Sequence, residues 1–469
     1  MIKYLETIRS YGDKDMCKVI NGAEASCKSY ADFCNDMERY AYKIDMEMGG
    51  IKGKHVGIIA SASYEYFVLL GAIIFGRAVA IPLNNLESID NISHAIDNAE
   101  INLLIVDCNA EKYVRENLPV MHMETFFEEE EGRLLLEDFR DIEKDELALI
   151  LFTSGTTSVS KGVMQSVDNL FHARKDILPK SYLEKKENPV GALAYTNFPF
   201  YHVGGILLFL SWPLNGVTMC LSKDPRNILS DLENNSIDIG AIIPSTFKLW
   251  STCIRKDRMD RLGHVRHVMS GGAALDAELV KLFINKGISV GQFYGQTEVG
   301  GSVTVNYDMV NHADSVGQPS DGAEVFIEDG EICVRYWGNM TGYYNNAEET
   351  KKSLRNGVIY TGDLGYIDKD GYVYITGRKN NLIILSGGQN VSPEEIEAKI
   401  YENEAIRECR VYAKGDRIAA QVYAPDIKEE EIRNYIDELN AKLSIYKRIY
   451  SLEIMDTEIE KTASGKIKR

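Results

Sequence analysis

The chain has 469 residues, too many for one ordinary core, so two or more domains are expected. Hydrophobic residues make up 45% and charged residues 26%, a soluble globular balance with ample material for a large core. With 52 Lys and Arg against 70 Asp and Glu the formal charge is −18, which disfavours nucleic acid and anionic lipid as partners, since both are polyanions.

The N-terminal stretch MIKYLETIRSYGDKD carries no apolar signal core. The eight cysteines contain no Cys-x-x-Cys pair and no Cys/His cluster with zinc spacing, so they read as reduced, structural thiols. Both features point to a cytoplasmic protein. The longest apolar stretch, 66–83, is interrupted by Gly71, Gly76 and Arg77 and predicts a buried helix leading into a strand, not a membrane span. Short apolar runs at 55–60, 103–107, 147–155 and 239–245 alternate with helical patterns, as expected of βα units around a parallel sheet. The acidic segment 124–146, with EEEE at 128–131, reads as a solvated connector. After Ile327 the pattern alternates, with Asp-Gly turns at Asp329 and Asp370, and predicts hairpins in a smaller antiparallel unit. A new αβ pattern begins after a boundary near 378–381, and Ser392-Pro393 followed by glutamates predicts a helix start.

One loop concentrates chemistry. The strand ALILF runs into Thr153, Ser154, Gly155, Thr156 and Thr157, then Lys161 and Gly162. Hydroxyls, glycine-permitted backbone donors and one cation are what a polyphosphate needs. This is not a Walker A loop, which would require Gly at position 160 and Ser or Thr at 162, where this chain has Ser160 and Gly162. A loose Ser/Thr/Gly cluster would be an ordinary polar turn; this ordered string is far more specific.

The string TSGTTSVSKG resembles the phosphate loop of the adenylate-forming superfamily, which includes acyl-CoA synthetases, firefly luciferases and the adenylation domains of nonribosomal peptide synthesis. It departs from the family at Ser158 and Ser160, where Gly and Pro are usual. Other segments resemble that family's motifs in the same order: SGGAALD at 270–276, YGQTE at 294–298, MTGYYNNAEET at 340–350, YTGDLG at 360–365, GRKNN at 377–381 and KTASGKIKR at 461–469. The resemblance implies an α/β fold: a large N-terminal domain (1–379) of stacked αβ sheets with a small β-barrel-like subdomain, then a small mobile α+β lid domain (380–469). It assigns nucleotide contacts to Gly271, Gly272, Ala273, Tyr294 (stacked on adenine), Gly295, Asp363 (on the ribose hydroxyls) and Arg378. It gives Thr297 to a phosphate, Glu298 to Mg²⁺ and Lys466 to catalysis. Asn380 falls at the hinge, where the family usually has Asp or Lys.

The same resemblance implies a reaction. A carboxylate attacks the α-phosphate of ATP, Glu298-bound Mg²⁺ and Lys466 offset the charge, and pyrophosphate leaves. A thiol then takes the acyl group from AMP after the small domain rotates. The loop ILSGGQNVSPEEIE, with Ser386, Gly387 and Gly388, resembles the pantetheine tunnel of acyl-CoA synthetases. The segment NFPFYHVGGI resembles the acyl-pocket wall; Tyr201, Val203, Gly204, Ser270, Val299 and Gly300 are expected to line it and His202 to gate it or orient the carboxylate. No Asp stands there to pair with an amine, so a fatty or aromatic acid is expected rather than an amino acid. The tunnel-like loop, and the absence of a carrier domain before Arg469, favour CoA as acceptor. A stand-alone enzyme loading an acyl carrier protein, and a non-catalytic acyl-adenylate or nucleotide-binding regulator, stay open, as do the acid, the pathway and the oligomeric state.

Overall fold

A computed structural model describes residues 1–127, 132–134, 143–153, 160–171, 188–273, 275–386, 389–461 and 467–468. Two large sheets sandwich a layer of helices. The seven-stranded sheet runs, in spatial order, Gly342–Tyr343, Lys161–Ser166, Leu147–Thr153, Val79–Pro82, His55–Ile59, Leu103–Val106 and Val120–His122. The five strands from Leu147–Thr153 onward are parallel, while the first two return antiparallel. The nine-stranded sheet runs Gln318–Pro319, Thr304–Asn306, Ser289–Tyr294, His267–Gly271, Ile239–Ile242, Leu193–Thr196, Thr218–Ser222, Asp15–Asn21 and Glu24–Ser29.

The predicted parallel runs are therefore strands, but they divide between two sheets: Ile239–Ile242 belongs to the second. That run is also shorter than expected, because Pro244 opens the helix Pro244–Arg255, where its fixed φ and missing N–H are tolerated. Two sheets are needed because the helices Tyr64–Phe75 and Val203–Leu214 are apolar on every side and require cover from both directions. In Tyr64–Phe75 every residue but Glu65 is buried. Their side chains join Ile58 and Leu149 of one sheet and Ala241 and Phe293 of the other in a single hydrophobic cluster. Ile59 and Ile150, on the opposite face of the seven-stranded sheet, join a second cluster under the helix Ile89–Asn98. Burial on both faces explains why these strands read as continuous apolar runs.

The third sheet is antiparallel: Glu324–Glu328, Glu331–Arg335, Val358–Ile367 and Leu354–Arg355, with Val373–Arg378 also paired to Val358–Ile367. Asp329 at φ 50° and Gly330 at φ 78° make the tight turn that the Asp-Gly pair predicted. A separate hydrophobic cluster from Ile383 to Ile449 is built on the strands Glu408–Ala413, Ile418–Tyr423 and Ile449–Ile454 and the helices Pro393–Ile400 and Glu429–Lys442. Ser392 is the N-cap of Pro393–Ile400, with Pro at the first turn as expected. Among the described residues no helix is long and apolar enough to cross a membrane, and all eight cysteines are free.

Candidate active site

Three strands meet at Asp363. Tyr294 closes Ser289–Tyr294, Asp363 sits within Val358–Ile367, and Arg378 ends Val373–Arg378 in register with Asp363. The Asp363 carboxylate is 3% exposed, and burial of that charge is costly unless donors surround it. Tyr294 Oη donates to Oδ2 at 2.6 Å, Gln296 Nε2 to the same oxygen at 2.7 Å, and Arg378 Nε meets Oδ1 at 2.6 Å. Burial, and then the Asp363 charge, push the Tyr294 phenol well above its usual range, so it stays a donor. An ionised carboxylate has about four acceptor positions, so these donors leave room for a ligand hydroxyl. Tyr294 itself is 9% exposed.

The turn after Tyr294 is dictated by glycine. A side chain at Gly295 would stand 1.6 Å from the Gly301 carbonyl oxygen, and Gly300 ends the short Thr297–Val299 helix at φ 72°. Thr297 is buried; its carbonyl accepts from Gln165 Nε2 at 3.1 Å, and the Glu298 carbonyl accepts from Met340 N at 2.8 Å. These bonds fix the backbone from which the Glu298 side chain projects. Tyr343 Oη donates to Glu298 Oε1 at 2.8 Å, and Lys161 Nζ lies over the Tyr343 ring, 5.3 Å from its centroid. Lys161 also forms an ion pair with Glu349. Hydrogen bonds from Lys161 and Lys352 hold the Glu349 carboxyl down at about 2. Thr153 and Lys161 face one another across the hairpin Leu147–Thr153/Lys161–Ser166. Ser154, Gly155, Thr156, Thr157, Gly387, Gly388 and Lys466 lie outside the described residues.

The expected acyl wall assembles in part. Tyr201 and the exposed His202 line a hollow with Leu83, Asn84, Glu87, Phe152 and Ser160. Burial, then the Glu87 charge, raise the Tyr201 phenol. Val203 approaches the glycine turn: a side chain at Gly301 would sit 3.3 Å from Val203 Cγ2, one residue along the chain from Gly300. Gly204 lies against Phe198, Gly271 against Phe293, and those two rings meet at 5.5 Å. Gly272 at φ 87° and Ala273 are exposed beside this edge. Strand alternation turns Ser270 to the other sheet face, in register with Ile242 and Gln292, where its hydroxyl is fully buried with no hydrogen-bond partner among the described residues. The structure therefore does not bring Ser270 onto the Phe198–Phe293 face.

Asn380 is exposed within the short Lys379–Asn381 helix, between Lys379, paired with buried Glu331 at 2.7 Å, and Asn381, whose Nδ2 donates to Glu394 at 2.6 Å. Ser386 opens the tunnel-like loop and pairs with Asp416. Three site residues escaped sequence reasoning: Gln296, Tyr343 and Glu349. Each lies inside a segment already singled out, but each has its partner 67, 45 or 188 residues away, a distance that pattern reading does not bridge.

The donor set suits Mg²⁺ and a nucleotide. Glu298 offers a hard oxygen, Oε2, with no hydrogen bond among the described residues, and Mg²⁺ typically takes one or two carboxylates and completes its shell with phosphate and water. No cluster of three acidic, His or Cys side chains competes for a metal among the described residues. Comparison with known proteins identifies the family. The family model described as AMP-binding enzyme matches residues 6–344. The 2-succinylbenzoate–CoA ligase of Bacillus mycoides is 27% identical over 449 residues, 90% of this chain and 88% of that protein. The corresponding ligase of Bacillus cereus strain Q1 is 28% identical over the same shares. Among solved structures, ATP-bound MatB from Rhodopseudomonas palustris superposes with a TM-score of 0.81 at 26% identity, covering 99% of this chain and 97% of that one. The Bacillus subtilis o-succinylbenzoate CoA synthetase MenE, in complex with its acyl-adenylate, shares the fold with a TM-score of 0.85 at 22% identity, over 99% and 96% of the two chains. With the family match spanning well over half of its residues, the chain belongs to the AMP-binding enzyme family.

Proposed function

We propose that this chain is an ATP-dependent acid–thiol ligase, which joins a carboxylic acid to AMP with release of pyrophosphate and then passes the acyl group to CoA. One observation supports the reading: in a member of this family, Asp363 gathers donors from the turn that also carries Glu298, and Glu298 and Lys161 both contact Tyr343. Asp363 has the capacity to accept from ribose hydroxyls, with Arg378 alongside. Lys161 supplies positive charge toward the polyphosphate. Mg²⁺ held by Glu298 would supply charge neutralisation along the phosphates. The acid's carboxylate oxygen forms the new bond to the α-phosphorus as the bond to pyrophosphate breaks, with Lys466 offsetting the developing charge. The CoA thiol, losing its proton, then attacks the acyl carbon and AMP leaves.

The 2-succinylbenzoate ligases among the relatives support an aromatic acid as substrate. The wall of Tyr201, Val203, Gly204, Val299 and Gly300 suits a flat apolar body. The boundary at 379/380 is supported by the separate hydrophobic cluster from Ile383 to Ile449. A panel of aromatic and fatty acids, with 2-succinylbenzoate among them, incubated with ATP, Mg²⁺ and CoA tests the reading. AMP, pyrophosphate and acyl-CoA should appear in equal amounts. ADP as product, or thioester formed only on a phosphopantetheinylated carrier protein, would overturn it.

A further inference from the structure

Segment 340–344 is stitched to both halves of the site. Met340 N donates to the Glu298 carbonyl at 2.8 Å, Tyr343 is in register with Val163 two residues from Lys161, and Tyr344 N donates to the Gly162 carbonyl at 2.8 Å. The backbone of Tyr343 is held in turn by the helix Ala347–Ser353, through its N–H to Thr350 Oγ1 at 2.9 Å. The Tyr343 side chain, 6% exposed, has little freedom. Its hydroxyl engages Glu298 and its ring face carries the Lys161 ammonium. Left to themselves, a carboxylate and an ammonium close together would pair and neutralise each other. Here Lys161 pairs with Glu349 instead, and among the described residues Glu298 Oε2 has no hydrogen bond.

We propose that Tyr343 is a positioning residue that sets the Glu298 carboxylate and the Lys161 ammonium apart at a fixed spacing, aligning the metal-binding and phosphate-binding halves of the site through one side chain. The proposal rests on the ligase reading and deepens it. The hydroxyl and the ring have separable duties. Tyr343→Phe removes the hydrogen bond to Glu298 and keeps the aromatic face under Lys161; Tyr343→Leu removes both. Partners that orient a metal ligand typically contribute about 10- to 100-fold to metal affinity.

The test is isothermal titration calorimetry of the full chain with ATP, without any acid, across a series of MgCl₂ concentrations and in EDTA. Tyr343→Phe should raise the Mg²⁺ needed for half-maximal tightening of ATP binding by about 10-fold, with ATP affinity in EDTA unchanged. Tyr343→Leu should also weaken binding in EDTA severalfold. A Tyr343→Phe protein with the wild-type Mg²⁺ requirement overturns the proposal, and so does one that loses affinity equally with and without metal, since that marks general loosening. Wild-type chain that binds no ATP overturns the ligase reading and the proposal together. Should Tyr343→Leu fail to fold, the Phe variant decides alone.

Discussion

Asp363 sits almost out of water, and its three donors come from two stretches of chain, Tyr294 and Gln296 on one turn and Arg378 on the paired strand. Asp363→Asn would keep the shape but lose the charge that Arg378 and Tyr294 answer. Hydrogen bonds to charged groups contribute about 1.5–3 kcal/mol each, so stability should fall by about that amount in urea titration. ATP binding should fall in parallel. Glu349 offers a pH test. Its carboxyl titrates at about 2 in the folded chain against an ordinary 4.5, so the folded state binds this proton less readily than the unfolded state. A group depressed in this way stabilises fully above the unfolded value, and the contribution disappears as pH falls from 4.5 toward about 2. Denaturation curves across that window should weaken steadily, and Glu349→Gln should flatten that part of the profile.

At the scale of elements, the strands and buried helices were legible because their signals are local. A run such as Leu103–Val106, buried on both faces, must be apolar at every position, and Tyr64–Phe75 is apolar all round for the same reason. The Asp329–Gly330 turn and the Ser392-Pro393 helix start were legible because one or two residues decide them. Sheet membership was not: Ile239–Ile242 and His55–Ile59 look alike yet lie in different sheets, since the partner of a strand is chosen by distant residues. Ser392 does double duty. Its Oγ accepts from Glu395 N at 3.4 Å and donates to the Thr376 carbonyl at 2.9 Å, tying the helix Pro393–Ile400 to the strand before the proposed boundary. Ser392→Ala should cost about 1 kcal/mol, the usual value of an N-cap, read by thermal or urea unfolding.

For the whole molecule, we propose that the small unit takes two arrangements, one for each half-reaction. Polar contacts that cross the proposed boundary include Ser392 with Thr376 and the exposed pair Arg255–Glu404 at 3.2 Å. Exposed pairs of this kind contribute little, which suits a joint that must move. Lys466→Ala should slow acyl-adenylate formation by about 10²–10³ while sparing thioester formation from supplied acyl-adenylate. Pyrophosphate exchange and a CoA assay measure the two steps separately, and an equal loss in both would contradict the two-arrangement reading. By itself the sequence determined the family, the order of motifs and the strand and helix signals, and it pointed to the charged residues proposed for the site, because each rests on short ordered strings. Only the tertiary structure decided that two sheets share one helical layer, that Ser270 turns away from the Phe198–Phe293 face, and that Gln296 meets Asp363, Tyr343 meets Glu298 and Glu349 meets Lys161. The reason is physical: a side chain's role depends on the charge or ring it meets, and here those partners arrive from strands far away along the chain.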